Sequence, residues 1–342
     1  MQQVTITVIG FGNVGQGLAE LLCAMAPKLK REYQLDFRIK AIVDSRGAAI
    51  SNNGINLSEV LKVKRIKGSV SSLRESGFPE LTALEIIEDV ESDILIEITP
   101  TSLETGEPGL THIQKAISKG MHVITTNKGP LALALPRLLN EAKKAGVYLK
   151  FSGAVGGAMP IIDFAKRCLE SDVILKIKGV LNGTTNYILW KMARERVNMY
   201  EALIEAKNLG YVEKNFRYDI NGKDTACKLV ILANWIMNKK IFLKDIKTKG
   251  IEDISLENLL TVEKKGLTIR LVGRIDEKEA LVQPEVIPKH HPLCVSHILN
   301  SIIFTCAYSG QHILIGRGAG GRETAFSIIR DLIDIGLSLK SS

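Results

Sequence analysis

The stretch Gly210–Asn234, GYVEKNFRYDINGKDTACKLVILAN, gathers Glu213, Asp219, Asp224 and Lys228 around an apolar helix, a set of charges able to hold a small zwitterion. From Asp224 the pattern is helical, with Gly222 before it and Leu229, Val230, Leu232, Ala233 and Ile236 on the buried side. Asp224 and Lys228 then stand one turn apart and face the same way. A partly desolvated lysine ammonium can titrate nearer neutrality and exchange a proton with a carbinol oxygen, which is half of a dehydrogenase. The plain alternative is a surface ion pair, so the rest of the chain must decide.

The N-terminus supplies the other half. An apolar run, VTITVIG, leads directly into Gly10, Phe11, Gly12, Asn13, Val14 and Gly15, and then into the helical pattern Leu18, Leu21, Leu22, Met25. Strand, glycine turn and helix in this order form a dinucleotide-binding fingerprint. Gly10 permits the turn, Gly12 lets backbone approach a pyrophosphate, and Gly15 allows close packing, while the helix N-terminus offers amide N–H groups to the anion.

A second strand, Arg38–Val43, ends in Asp44, Ser45 and Arg46, where the adenosine ribose is expected. Asp44 could accept from both ribose hydroxyls and favour NAD, whereas Arg46 could pair with a 2′-phosphate and favour NADP. The two leave the choice open. Strands at Asp93–Ile98, His122–Thr126 and Val147–Phe151, with helices near Gly109–Lys119 and Leu133–Ala145, imply a doubly wound parallel sheet. Ligands lie beyond the carboxyl ends of such strands, which turns Thr99 and Lys128 toward the nicotinamide half. A loop lysine in water is the ordinary reading of Lys128.

These residues carry a resemblance. GFGNVG at 10–15, TNKGPLA at 126–132, FSGAVGGAMPII at 151–162, GVLNGTTNYIL at 179–189, the 209–233 segment and GRGAGGRETA at 316–325 together resemble homoserine dehydrogenase, in order and over nearly the whole chain. The resemblance implies reversible interconversion of L-homoserine and L-aspartate 4-semialdehyde with NAD or NADP, on the branch to threonine, methionine and isoleucine. It implies Lys228 as the acid–base group oriented by Asp224, Glu213 and Asp219 as holders of substrate, and Gly183 and Thr184 as contacts to the amino acid. It also sets Lys128 near nicotinamide and substrate, and returns Gly320 to the cofactor.

Two departures stand out. The family commonly has an acidic residue where this chain has Ser152, and a proline-rich turn where it has Glu213, Lys214, Asn215 and Phe216. The first position resembles a ligand to a monovalent cation, sodium in the family, which is also held by main-chain carbonyls matching Val155 and Gly157. Without that carboxylate the site is expected to lose its formal charge and to bind the cation weakly or not at all. The loop without prolines is expected to be less rigid.

The expected architecture is α/β: a Rossmann-type doubly wound sheet over 1–151, an α+β substrate and dimerisation domain over 152–312, and a return over 313–342. Strand-like runs at Val173–Val180, Leu267–Val272, Leu281–Ile287 and Ser301–Cys306 suggest a sheet that pairs across subunits of a homodimer. Helices are expected at Tyr187–Arg194, Tyr200–Asn208 and, in the return, Thr324–Ile335.

The 342 residues carry a net charge of +8, with basic runs at Lys28–Arg31 and Lys62–Lys67. Few aromatic residues interleave with them, so a nucleic-acid partner is not expected, and the charge serves to collect an anionic cofactor. No run reaches the length of a membrane span and no leader precedes the first strand, which reads as cytoplasmic. The 5 cysteines lack metal-ligand spacing. Cys227 reads as a small core residue rather than a nucleophile. No appended kinase or regulatory domain is expected, and so no threonine feedback through one. Two alternatives stay in view: a related dehydrogenase of another small amino acid, and a nucleotide-binding regulatory protein without turnover.

Overall fold

The structure, a computed structural model, describes residues 1–211 and 216–341. Backbone proximity separates it into one unit of Met1–Ala154 with Gly321–Ser342 and another of Val155–Gly320. In chain order the first unit contains β1 (Gln2–Ile9), α1 (Asn13–Lys28), β2 (Leu35–Asp44), β3 (Gly47–Ile50), α2 (Leu57–Lys67), β4 (Gly77–Pro79) and α3 (Ala83–Asp89). It continues through β5 (Ile94–Glu97), α4 (Gly109–Ser118), β6 (His122–Thr125), α5 (Lys128–Ala145) and β7 (Leu149–Lys150). The second contains α6 (Ile161–Cys168), β8 (Ile174–Val180), α7 (Gly183–Glu195), α8 (Met199–Asn208), α9 (Arg217–Ile220), α10 (Lys223–Ile236) and β9 (Lys247–Thr248). Next come α11 (Leu256–Glu263), β10 (Leu267–Ile275), β11 (Ala280–Pro288), β12 (Leu299–Cys306) and β13 (Gly310–Arg317). Finally α12 (Gly321–Ser341) belongs to the first unit.

In the first unit the sheet order is β4-β3-β2-β1-β5-β6-β7, and β2, β1, β5, β6 and β7 are mutually parallel. Val4, Ile6 and Val8 of β1 are fully buried, as a central strand covered by helices on both faces requires. The order reverses between β1 and β5, and the turns that follow these two strands flank this switch point. Beyond β2 the sheet departs from the expected all-parallel pattern, because β3 and β4 run antiparallel. The link from Asp44 to Gly47 is too short for the crossover that parallel pairing needs. The helix after the glycines is long: α1 passes into a π turn at Leu29–Tyr33, closed by left-handed Gln34.

Ala325, Ile328, Ile329, Leu332 and Ile335 recur at helical spacing along α12, and all are buried in the core that contains Val4, Ile6, Leu18 and Leu22. Each large aliphatic side chain so buried contributes ~1.5–3 kcal/mol, enough to fix this helix on the first unit.

The second unit is built on a sheet of order β13-β12-β8-β10-β11-β9, antiparallel except for the short β11–β9 pair. It is longer than the sequence runs suggest, since β13 pairs with β12 through the turn before Gly310. Helix α10 lies close on β10: a Cβ at Gly273 would come within 2.9 Å of the Leu229 and Thr225 side chains. Among the described residues no helix is long and apolar enough to cross a membrane.

Candidate active site

The glycine turn after β1 is built for close approach. Gly10 has φ +102°, and a Cβ there would lie 2.6 Å from the Ile98 carbonyl oxygen, so only glycine fits at the switch point. A Cβ at Gly15 would meet the Gly10 oxygen at 2.7 Å, whereas at Gly12 nothing lies within 4 Å. The space above Gly12 is thus open to a ligand. Gly12 gives no side-chain cap to α1, leaving the first-turn amides of Asn13, Val14 and Gly15 oriented as an anion cradle. Phe11 is buried in the core beneath.

At the end of β2, Asp44 is engaged by the protein itself. Its carboxylate accepts from Lys64 Nζ at 2.7 Å, Ser69 Oγ at 3.0 Å and the amides of Val70 and Arg46, each at 2.9 Å. Burial pushes the carboxyl up, but the hydrogen bonds from Lys64, Val70 and Arg46 and the lysine charge outweigh it, and the group titrates below its ordinary range. Arg46 is exposed, its guanidinium close to Gly68 at the C-terminal end of α2.

The loops after β5 and β6 are tied together by Glu97, which is fully buried. Glu97 Oε1 accepts from the Thr99 amide at 3.0 Å and from the Thr99 hydroxyl, and Oε2 accepts from Thr125 Oγ1 at 3.1 Å. His112 Nδ1 stands 3.8 Å from Oε1. Asn127 Nδ2 donates to the Thr99 carbonyl at 3.3 Å, and its Oδ1 caps α5 by accepting from the Gly129 amide at 3.2 Å. Lys128 is the first residue of that helix and half-buried. Thr99 and Asn127, the residue before Lys128, are therefore held by one network.

In the second unit the head of α10 carries a buried ion pair. Lys228 Nζ donates to Asp224 Oδ2 at 2.7 Å and to the Leu181 carbonyl at 2.5 Å. Asn182, at the junction of β8 and α7, donates from Nδ2 to Asp224 Oδ2 at 2.9 Å and to Asp219 Oδ1 at 2.6 Å. Asp219 thus joins the Asp224–Lys228 pair, as the sequence suggested. Gly183 opens α7 so close to Ile298 that a Cβ would lie 2.8 Å from its carbonyl oxygen. Thr184 Oγ1 donates to the Tyr211 carbonyl at 3.0 Å. Glu213, with Lys214 and Asn215, lies outside the described residues.

Ser152 has a carboxylate partner. Ser152 donates from its amide and from Oγ to the Asp331 carboxylate at 3.0 Å and 2.7 Å, and both residues are buried. Ser152 carries no charge of its own, and α12 brings a carboxylate to it from 179 residues away. In the second unit Val155 is fully buried and Gly157, with φ +55°, packs on the backbone of Gly318 and Ala319. Gly320 ends that unit. It is its neighbour Gly321 that meets the glycine turn, where an added Cβ would lie 2.9 Å from the Asn13 carbonyl oxygen.

Asn182, Glu97, Lys64 and Asp331 were not singled out from the sequence. Two of them left a trace there: Asn182 belongs to the LNGT motif, and Glu97 is a charge set within the apolar run ILIEI. Cys227 is fully buried.

The sequence and fold both match known proteins. Residues 10–152 match the family model for the NAD binding domain of homoserine dehydrogenase, and residues 160–333 the model for homoserine dehydrogenase. Homoserine dehydrogenase of Methanocaldococcus jannaschii is 44% identical over 335 residues, covering 98% of this chain and 99% of that protein. The NAD(+)-dependent homoserine dehydrogenase of Pseudomonas canavaninivorans is 31% identical, over 98% of this chain and 97% of the other. A hyperthermophilic archaeal homoserine dehydrogenase in complex with NADPH superposes with a TM-score of 0.85 at 28% identity, covering 99% of this chain and 98% of that one. With a glycine turn at a sheet switch point in one unit, a buried lysine–aspartate pair in the other and relatives matched end to end, this chain is a member of the homoserine dehydrogenase family of NAD(P)-dependent oxidoreductases.

Proposed function

We propose that the protein interconverts L-homoserine and L-aspartate 4-semialdehyde, the reaction its relatives are named for, in threonine, methionine and isoleucine biosynthesis, with Lys228 as the acid–base group. The observation that carries this reading is the buried Lys228–Asp224 pair linked to Asp219. An ammonium has three donors. Leu181 and Asp224 take two, and the third is available to the substrate's alcohol or aldehyde oxygen. In reduction Lys228 gives a proton as negative charge develops on that oxygen; in oxidation it takes the proton away. Asp219, with Glu213, holds the substrate's α-ammonium, and Gly183 and Thr184 line the amino-acid end. The dinucleotide, on Gly10 to Gly15 with Thr99, Lys128 and Gly320 toward its reactive half, supplies or accepts the hydride.

NADP is the favoured cofactor in this reading. The Asp44 carboxylate is occupied by internal donors, which weakens its claim on ribose hydroxyls, and Lys64 offsets its charge. Arg46 is left exposed to meet a 2′-phosphate. The relatives divide, one being named NAD(+)-dependent and another solved with NADPH.

The active form is a homodimer in the cytoplasm. Ile313 and Ile315 on edge strand β13 are 44% and 53% exposed, apolar area that a second copy would cover. A sodium ion on the carbonyls of Val155 and Gly157 belongs to the same reading. Homoserine-dependent reduction of NADP and NAD, followed by nicotinamide absorbance with threonine, serine and glycerol as controls, tests the assignment. Turnover with homoserine alone is expected; binding of dinucleotide without turnover would overturn it.

A further inference from the structure

We infer that Asn182 is a positioning residue that holds the acid–base pair and the ammonium-binding carboxylate in one constellation. The inference rests on the proposed reading of this site. Asn182 is 4% exposed and every polar atom of its side chain is used. Its Oδ1 accepts from the Thr185 amide at 2.8 Å, capping α7, and from Thr185 Oγ1 at 3.0 Å. The two N–H bonds of Nδ2 divide between Asp219 Oδ1 at 2.6 Å and Asp224 Oδ2 at 2.9 Å. Two carboxylates drawn to one nitrogen repel each other, and the amide between them donates to both. The oxygen it binds on Asp224 is the one that accepts from Lys228, at 2.7 Å.

The preceding residue completes the arrangement, because the Leu181 carbonyl accepts from Lys228 at 2.5 Å. Lys228 is therefore gripped from two sides by Leu181 and Asn182, directly by the first and through Asp224 by the second. Among the described residues, the charged groups bonded at this junction are Asp224 and Lys228 on α10 and Asp219 on α9, and Lys223 and Tyr218 stand on the same two helices. Removing the amide donors without touching the helix cap leaves the two carboxylates to separate. The ammonium then loses its fixed direction and feels more uncompensated negative charge.

Capping and positioning can be told apart, because aspartate and serine cap helices about as well as asparagine but neither spans two carboxylates as a donor. Asn182→Asp keeps the cap and adds a third acceptor; Asn182→Ser keeps it without adding charge. Asn182→Ser is expected to fold with a melting temperature within a few degrees of wild type and Asn182→Asp with a lower one, because it buries a third carboxylate, and both are expected to keep the KM for dinucleotide within about twofold. Both are expected to lose at least ~10-fold in kcat for homoserine oxidation, the lower part of the range for a positioned acid–base group. KM for homoserine rises severalfold, and the ascending limb of the pH profile, which reports the proton acceptor, moves to higher pH. Turnover and pH profiles that superpose on wild type in both variants would reduce Asn182 to a helix cap. Failure of both to fold would make its role structural and equally overturn the inference. A folded wild type that binds dinucleotide but does not oxidise homoserine removes the functional reading and the inference with it, so the two failures are distinguishable.

Discussion

Lys228 and Asp224 form an ion pair of 2.7 Å one turn apart on α10, with side chains only 7% and 11% exposed. Burying two charges costs desolvation that their attraction barely repays, so such a pair is a weak device for stability. It is a good device for holding a proton donor in a dry site. Lys228→Ala is expected to lower homoserine turnover by at least ~100-fold. Dinucleotide affinity, measured by fluorescence titration, should survive, because the glycine turn belongs to the other unit. A parallel loss of both would place Lys228 in the fold rather than in the chemistry.

Arg46 is the test of cofactor choice. A charge-assisted hydrogen bond is worth ~1.5–3 kcal/mol, or roughly 10- to 100-fold in affinity. Arg46→Ala should raise the KM for NADP by about that factor and leave the KM for NAD within about twofold. Equal effects on both cofactors would show that Arg46 does not read the 2′-phosphate.

The divide between what was legible in the sequence and what was not follows sequence distance. The β1 run, the glycine turn and the Asp224–Lys228 spacing are local patterns with a fixed period, and all appear in the structure as read. The β3–β4 extension is made of segments of 4 and 3 residues, too short to carry a period. The sequence shows Asp44 as a candidate for ribose and hides its partner Lys64, 20 residues on, which has no local signature. The carboxylate beside Ser152 is hidden for the same reason, since Asp331 lies at the far end of the chain. Fully buried Glu97, bridging the loops that carry Thr99 and Asn127, satisfies a polar need that only the assembled sheet creates.

Acid should expose the Asp44 network. Its carboxyl titrates below its ordinary value in the folded protein, so its stabilising bonds are fully present above the unfolded value of about 3.9 and are lost as pH falls through the lower folded value. Thermal melts from pH 7 to pH 2.5 should show the Asp44→Asn variant already destabilised at neutrality, with the gap to wild type closing only below about pH 4. A gap that stayed constant down to the lowest pH would mean that the ionised carboxylate is not what the fold uses.

The bond between Ser152 and Asp331 predicts two separable losses. Asp331→Ala takes an acceptor away from a buried amide and a buried hydroxyl at once, and loss of such bonds costs ~1–3 kcal/mol each. The melting temperature of the variant should fall by several degrees in consequence. Asp331→Asn keeps the volume but turns one oxygen into a donor facing another donor, so it should be nearly as destabilised, whereas Asp331→Glu should be limited mainly by space. The sodium dependence of turnover supplies the second readout. If the charge returned by Asp331 serves the proposed cation, wild type should show saturable activation by sodium over potassium, and Asp331→Asn should lose that activation while retaining basal turnover. Wild-type activity that ignores sodium would leave Asp331 as a partner of Ser152 alone and return the cation reading to the weak or absent binding expected from the sequence.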